Sequence, residues 1–208
     1  MSRIFQGVSA PTRTPGPGRP PAASRDDVLA LAMRRYLHGS RIDVQAIAAE
    51  LGLGRTTIYR WFGSREDLIG EVAARAAEPV LREARESARG EGGQALLECF
   101  DRFNRELAVS PALRSYIESE REAALRVLTS GTGRVHPRMV ELIAGLIGEE
   151  ERAGRYVAPV ERATLAYAIV RLAEAFLFSD AVAGVASDVD RLAAVEAALL
   201  GAARGNAG

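Results

Sequence analysis

Six side chains able to grip a polyanion lie within seven consecutive positions of this chain: Arg55, Thr56, Thr57, Tyr59, Arg60 and Trp61. A guanidinium offers a fixed fork of donors to a phosphate or to the O6 and N7 edge of guanine, and hydroxyl groups donate to phosphate oxygens. Gathered on one short helix, such a set suits the major groove of double-stranded DNA and its flanking phosphates. The plain alternative is a solvated helix–loop–helix with a few exposed aromatics. Ser64 and Asp67 follow at capping-box spacing, which starts a fresh helix and aims its free backbone N–H groups at a phosphate. Arg65 adds a positive charge at that point.

The elements that must position these groups are legible around them. Asp43 is placed to cap a short helix. Val44, Ile47, Ala48 and Leu51 then fall at i, i+3, i+4 and i+7, one apolar helical face. Ala48 is small enough for a second helix to cross close by. Gly52 supplies the positive φ of a tight turn, and Leu53, Ile58 and Phe62 close the small core. Upstream, Ser24 and Asp27 have capping-box spacing. Val28, Leu31, Ala32 and Tyr36 give that first helix a buried face, and Gly39 ends it.

With these residues in place, the segment resembles the DNA-binding domain of the TetR family of bacterial transcriptional regulators. The resemblance is carried by Ile47-Ala48, Gly52, Thr57-Ile58-Tyr59-Arg60-Trp61-Phe62 and Ser64-Arg65-Glu66-Asp67-Leu68, within residues 25–75. Gly54 stands where a capping Ser or Thr is common, and Arg65 where Lys is commoner. The resemblance implies that Arg55, Thr56 and Arg60 face base edges, while Thr57, Tyr59, Trp61, Arg65 and the Ser64 cap hold phosphates. It also implies a homodimer paired through two C-terminal helices, a palindromic operator and a small-molecule effector, most simply in a repressor. Two recognition helices in such a dimer sit about 34–36 Å apart, one turn of DNA. The stretch from Gly54 to Arg65 further resembles regulators of quorum-signal lactone degradation, a pointer to lactone or fatty-acyl ligands.

Composition agrees with this reading. The chain has 208 residues, 48% hydrophobic and 6% aromatic. No apolar run reaches the length of a membrane span, and the first residues lack a signal-peptide core. With the lone Cys99, this predicts a cytoplasmic protein without a membrane partner. All 27 basic residues are Arg. The formal net charge is zero, yet residues 1–75 carry 11 Arg against 7 acids, and the remainder 16 against 20. A mildly basic head on an acidic body is consistent with DNA binding by the head. Residues 1–23 form a Pro/Gly-rich tail with Arg3, Arg13 and Arg19, read either as a DNA-tracking arm or as an inert extension.

The expected architecture is therefore all-α: a helix-turn-helix domain over 24–75 and a larger helical body over 76–208 for ligand binding and dimerisation. A long helix from Ser64 to Arg89 contains Pro79, which implies either a kink that serves as a hinge or two helices meeting near Glu78. Further helices are expected at 93–108, 111–129, 135–153, 160–178 and 188–203, the last with a capping box at Ser187 and Asp190. The last two are rich in Ala, suited to close helix packing within or between chains. Candidate ligand contacts combine apolar walls with a few polar groups: Phe100, Phe103, Asn104, Tyr116, Met139, Tyr167, Arg171 and Glu174. If Arg171 faces inward, it can hold a carboxylate or lactone oxygen. The alternatives are ordinary core for the aromatics and a surface Arg171–Glu174 pair. His38 and a loop-borne His136 are far apart, zinc spacing is absent, and Ser130-Gly-Thr-Gly133 follows no strand. No enzyme, metal or cofactor is expected. The rival reading is a helical sensor or interaction module without DNA binding.

Overall fold

The computed structural model describes residues 23–179 and 188–202, and every regular element among them is helical. Helix α1 (Arg25–Leu37) begins at a reciprocal cap in which the Asp27 N–H donates to Ser24 Oγ and the Ser24 N–H to the Asp27 carboxylate. Helix α2 (Val44–Glu50) is capped by Asp43, whose carboxylate accepts from the Gln45 and Ala46 N–H groups at 2.7 and 3.0 Å. Those bonds, the Ala46 one foremost, hold the Asp43 carboxyl below its usual range. Gly52, at φ +64°, turns the chain toward α3 (Arg55–Phe62). Val28, Ile47, Ala48, Ile58 and Phe62 bury together as the core of this three-helix head.

Helix α4 (Arg65–Ser87) runs 23 residues from the head into the body and continues as one helix past Pro79. The arrangement with two helices meeting near Glu78 is therefore absent, and residues 75–76, the expected domain boundary, lie inside one helix. The body adds α5 (Gly92–Val109), α6 (Pro111–Ser119), α7 (Arg121–Thr129), α8 (Val135–Arg152), α9 (Arg162–Glu174) and α10 (Val189–Leu200), with α9 continuing as a π-helical turn over Ala175–Ser179. Helix α5 lies between α4 and α10, and α8 packs along α9. Leu96, Phe100 and Phe103 of α5, Met139, Ile143 and Ile147 of α8, and Leu165 and Ile169 of α9 supply the buried stripes.

Two local expectations change, and the cap of the last helix is described at a neighbouring residue. The single helix expected over 111–129 is two, because Glu120 leaves helical space (φ −140°, ψ 48°). Neither Gly nor Pro marks that break; the Glu120 carboxylate is drawn onto Arg65 instead. His136 is buried in the first turn of α8, not in a loop. The cap of α10 is Asp188, which accepts from the Arg191 N–H at 2.9 Å. The expected Ser187 cap and the tail over 1–22 lie outside the described residues.

Glu150 ties the far end of the body together. Buried in α8, it accepts from the Gly92 N–H at 2.9 Å, from Arg155 Nε and Nη2 at 2.8 and 2.9 Å, and from Arg85 of α4. Gly92 is required there, since its φ is +59° and a Cβ would stand 2.3 Å from the Arg155 carbonyl. The donors, Arg155 first, overcome burial and lower the Glu150 carboxyl from 4.5 to about 2. A group depressed by folding stabilises fully above its unfolded value, and that contribution is lost as pH falls through about 2. Glu150→Ala, which leaves two arginines without their shared acceptor, is expected to lower the unfolding free energy by roughly 3 kcal/mol. In urea titrations at a series of acidic pH values, Glu150→Gln is expected to lack this component of the wild-type acid destabilisation.

Candidate nucleic-acid interface and ligand cavity

Helix α3 presents two faces. Ile58 and Phe62 point into the head, while Arg55, Thr56, Tyr59 and Arg60 are exposed and Thr57 and Trp61 half-buried. Neither Arg55 nor Arg60 is paired with an acid among the described residues, so both guanidinium groups are open to an external acceptor. Tyr59 keeps 42% of its surface exposed, unusual for an aromatic with no partner in the core. Gly54 gives α3 no side-chain cap. The start of α4 is braced by a full capping box: the Asp67 N–H donates to Ser64 Oγ at 2.9 Å, and the Ser64 N–H and hydroxyl donate to Asp67 Oδ2 at 3.1 and 2.6 Å. The Ser64 side chain is thus occupied by the cap, and only backbone N–H groups of that turn remain directed outward.

Arg65 departs from the phosphate-binding expectation. Its Nε donates to the Ile42 carbonyl at 2.7 Å, and its two terminal nitrogens donate to the two carboxylate oxygens of Glu120. The Arg65 side chain is 19% exposed and that of Glu120 14%. The bond from Arg65 is the main cause of a lowered Glu120 carboxyl, and the same contact raises Arg65. Arg41 joins at 3.4 Å. Beside this clamp, the Ser115 hydroxyl donates to the Gly39 carbonyl at 2.9 Å, and the Tyr36 and Tyr116 rings meet edge-on. The α6–α7 break is therefore riveted to the end of α1, the loop before α2 and the start of α4.

A partly open cavity of about 310 Å³ lies between the body helices and the end of α1, its walls mostly apolar, the size and character of a small-molecule site. Five expected contacts line it: Phe100, Phe103, Asn104, Met139 and Glu174. Three do not. Tyr116 packs against Tyr36, with its hydroxyl buried and unpartnered among the described residues. Tyr167 is half exposed. Arg171 turns away to donate to the Thr129 carbonyl and Glu174, both at 2.7 Å, and to the Tyr167 hydroxyl at 3.1 Å. His136 Nδ1 lies 2.7 Å from the other Glu174 oxygen.

The sequence reading missed two parts of this wall. Ala73, Ala76, Ala77 and Val80 give α4 a face of small groups toward the cavity, at a helical spacing of i, i+3, i+4 and i+7. Glu196 occupies the middle of the Leu192–Glu196–Leu200 stripe, fully buried, with the Asn104 amide donating to its oxygens at 3.1 and 3.2 Å. A lone acid on the apolar stripe of an Ala/Leu-rich helix was the available signal. Tyr36 and Leu37, at the end of α1, also reach the cavity, so its contents touch the head directly.

A family model described as the tetracyclin repressor-like C-terminal domain matches residues 91–201, more than half of the chain. The chain belongs to the TetR family. A second model, the helix-turn-helix domain of resolvase, matches residues 18–64. Among solved structures, the TetR-family transcriptional repressor QsdR of R. erythropolis is 27% identical, covering 88% of this chain and 97% of that one with a TM-score of 0.82. The TetR-family repressor AlkX of Dietzia sp., implicated in biodegradation of n-alkanes, is 23% identical over 86% of this chain and 97% of that one; its TM-score of 0.53 is a likeness of fold. Comparison with curated proteins gives no match. As a TetR-family member the protein is a ligand-responsive, DNA-binding regulator and not an enzyme; it dimerises, and its effector is a small molecule. No described helix is long and apolar enough to cross a membrane.

Within this TetR-family frame the Arg65–Glu120 clamp is expected to be energetically coupled. A double-mutant cycle of Arg65→Ala and Glu120→Ala, read by urea unfolding, should return an interaction of roughly 1–2 kcal/mol. Simple additivity would show that the pair does not join head to body.

Proposed function

We propose that the protein is a homodimeric repressor of transcription that binds a palindromic operator through α3 and is released when a small apolar or acyl/lactone-like molecule enters the body. The observation that carries this reading is the exposed α3 face, with Arg55 and Arg60 unpaired among the described residues, mounted on a packed three-helix head. In this assignment Arg55, Thr56 and Arg60 read base edges, and Thr57, Tyr59 and Trp61 hold phosphates with the N–H groups after Ser64. Arg65 is a positioning residue. The TetR-family repressor QsdR, similar along nearly its whole length, supports repression as the sign of control.

The head is taken as residues 24–75 and the body as 76 onward, with α4 shared between them. Exposed Tyr167 of α9 and Val195 of α10 suit a dimer face on those helices. A molecule in the cavity presses on α6 through Ala112 and Leu113 and on α4 through Ala76 and Ala77. Movement of α6 shifts Glu120, and with it Arg65 and the root of α4. Coupling of this kind is typically worth about 1–3 kcal/mol. Such a regulator works in the cytoplasm, where its operator is.

Binding to duplex DNA is expected to weaken steeply with salt, because neutralised phosphates release counterions. Tyr59→Ala should weaken binding to all sequences alike, while Arg60→Ala should cost about 1–3 kcal/mol at a preferred base pair and relax specificity there. Fluorescence anisotropy across a salt series separates these effects. Absent or salt-insensitive binding would favour the reading as a sensor or interaction module without DNA binding, and tight binding by both folded variants would place the recognition surface elsewhere than α3.

A further inference from the structure

Apart from the Tyr36 phenol, which burial keeps neutral, the ionisable groups that line the cavity are carboxyls. Glu106 stands exposed on α5, Glu174 belongs to α9 and Glu196 to α10, and no Arg or His lines it among the described residues. Glu174 is held from behind by the Arg171 guanidinium at 2.7 Å and by contact with His136 Nδ1 at 2.7 Å. Glu196 has no cationic partner among the described residues; its hydrogen bonds come from the Asn104 amide alone. Beside this pair the wall is apolar and aromatic, with Phe100 and Phe103 on α5 and Leu177 and Phe178 on the π-helical turn. An anionic head entering here meets carboxyls and no cation, and a buried unpaired charge is strongly disfavoured.

We propose that Glu196 and Asn104 form the polar anchor of the effector site, and that this anchor selects an uncharged ligand whose carbonyl-type oxygen accepts a hydrogen bond from Glu196, while excluding carboxylates. The proposal rests on the reading of this cavity as the effector site. It also reverses the role open to Arg171, which points away from the cavity and cannot receive a ligand carboxylate there. Burial pushes the Glu196 carboxyl up to about 8, with Asn104 acting in the opposite direction, so the group is protonated at neutral pH and able to donate. The groups that face Glu196 from the packed elements do not supply a compensating charge. Asp101 of α5 raises it further and is itself tied to Arg105. The Cys99 thiol, pushed up to about 12 by burial, stays neutral. On α9, Glu174 is already paired, and the π-helical turn contributes no titratable side chain.

Three probes of equal carbon number, nonan-2-one, nonanoate and nonylamine, separate the possibilities by calorimetric titration of the full-length dimer. The ketone is expected to bind at least tenfold more tightly than nonanoate or nonylamine at pH 7. Its affinity should fall as pH rises above about 8, because an ionised Glu196 no longer donates. Glu196→Gln keeps a donor and cannot ionise, so ketone binding should persist within about threefold and lose its pH dependence. Ala173→Phe or Ala77→Phe, each filling the cavity from a different helix, should abolish binding of the ketone. If nonanoate or nonylamine binds as tightly as the ketone and the filling variants abolish it, the cavity stands as the site and the anchor proposal falls. If the ketone does not bind, or binds undiminished to both folded filling variants, the cavity reading falls and the proposal with it.

Discussion

One guanidinium ties the helix-turn-helix head to the body. Arg65 stands in the first turn of α4 and donates at once to the Ile42 carbonyl before α2 and to both oxygens of Glu120 at the α6–α7 break. Both side chains are largely withdrawn from water, where a bidentate charge-assisted pair is stronger and more directional than at the surface. The head would otherwise hang from the body by α4 and by the packing of α1 on α4 and α6. With the clamp closed, the root of α4 is tied at once to the loop before α2 and to the α6–α7 break.

The cavity acquires its meaning from the same joint. Protein interiors are close-packed, so an apolar space of about 310 Å³ is a departure from ordinary core of the size expected for a small-molecule site. Small groups at Ala73, Ala76 and Ala77 keep the α4 wall back. Leu113 on α6 lines the space seven residues before Glu120, and Tyr36 lines it at the end of α1, where Gly39 accepts from Ser115. The cavity wall and the Arg65 clamp therefore meet on the same three helices, α1, α4 and α6.

The head was legible because its signals are local. Caps at Ser24, Asp43 and Ser64, the stripe Val44–Ile47–Ala48, and Gly52 each act within a few residues and need no partner distant in sequence. The body's helices were legible from their stripes, but their rotations were not. Phe100, Phe103, Asn104, Met139 and Glu174 meet at the cavity because their stripes converge, whereas Tyr167 and Arg171 sit toward the outer side of α9. The break at Glu120 and the diversion of Arg65 from phosphate to carboxylate are one tertiary contact across 55 residues, and nothing in either local sequence announces it. Glu196 was hidden for a related reason: its burial depends on Asn104, 92 residues away.

A homodimer is expected to read DNA through two α3 helices as a symmetric pair. Selection of genomic DNA fragments by the purified full-length protein at near-physiological salt tests it most directly. The expected result is enrichment of one palindromic sequence whose half-sites are centred about one helical turn apart, roughly 34–36 Å. A well-folded dimer that enriches no sequence, or enriches only isolated half-sites without fixed spacing, would contradict it.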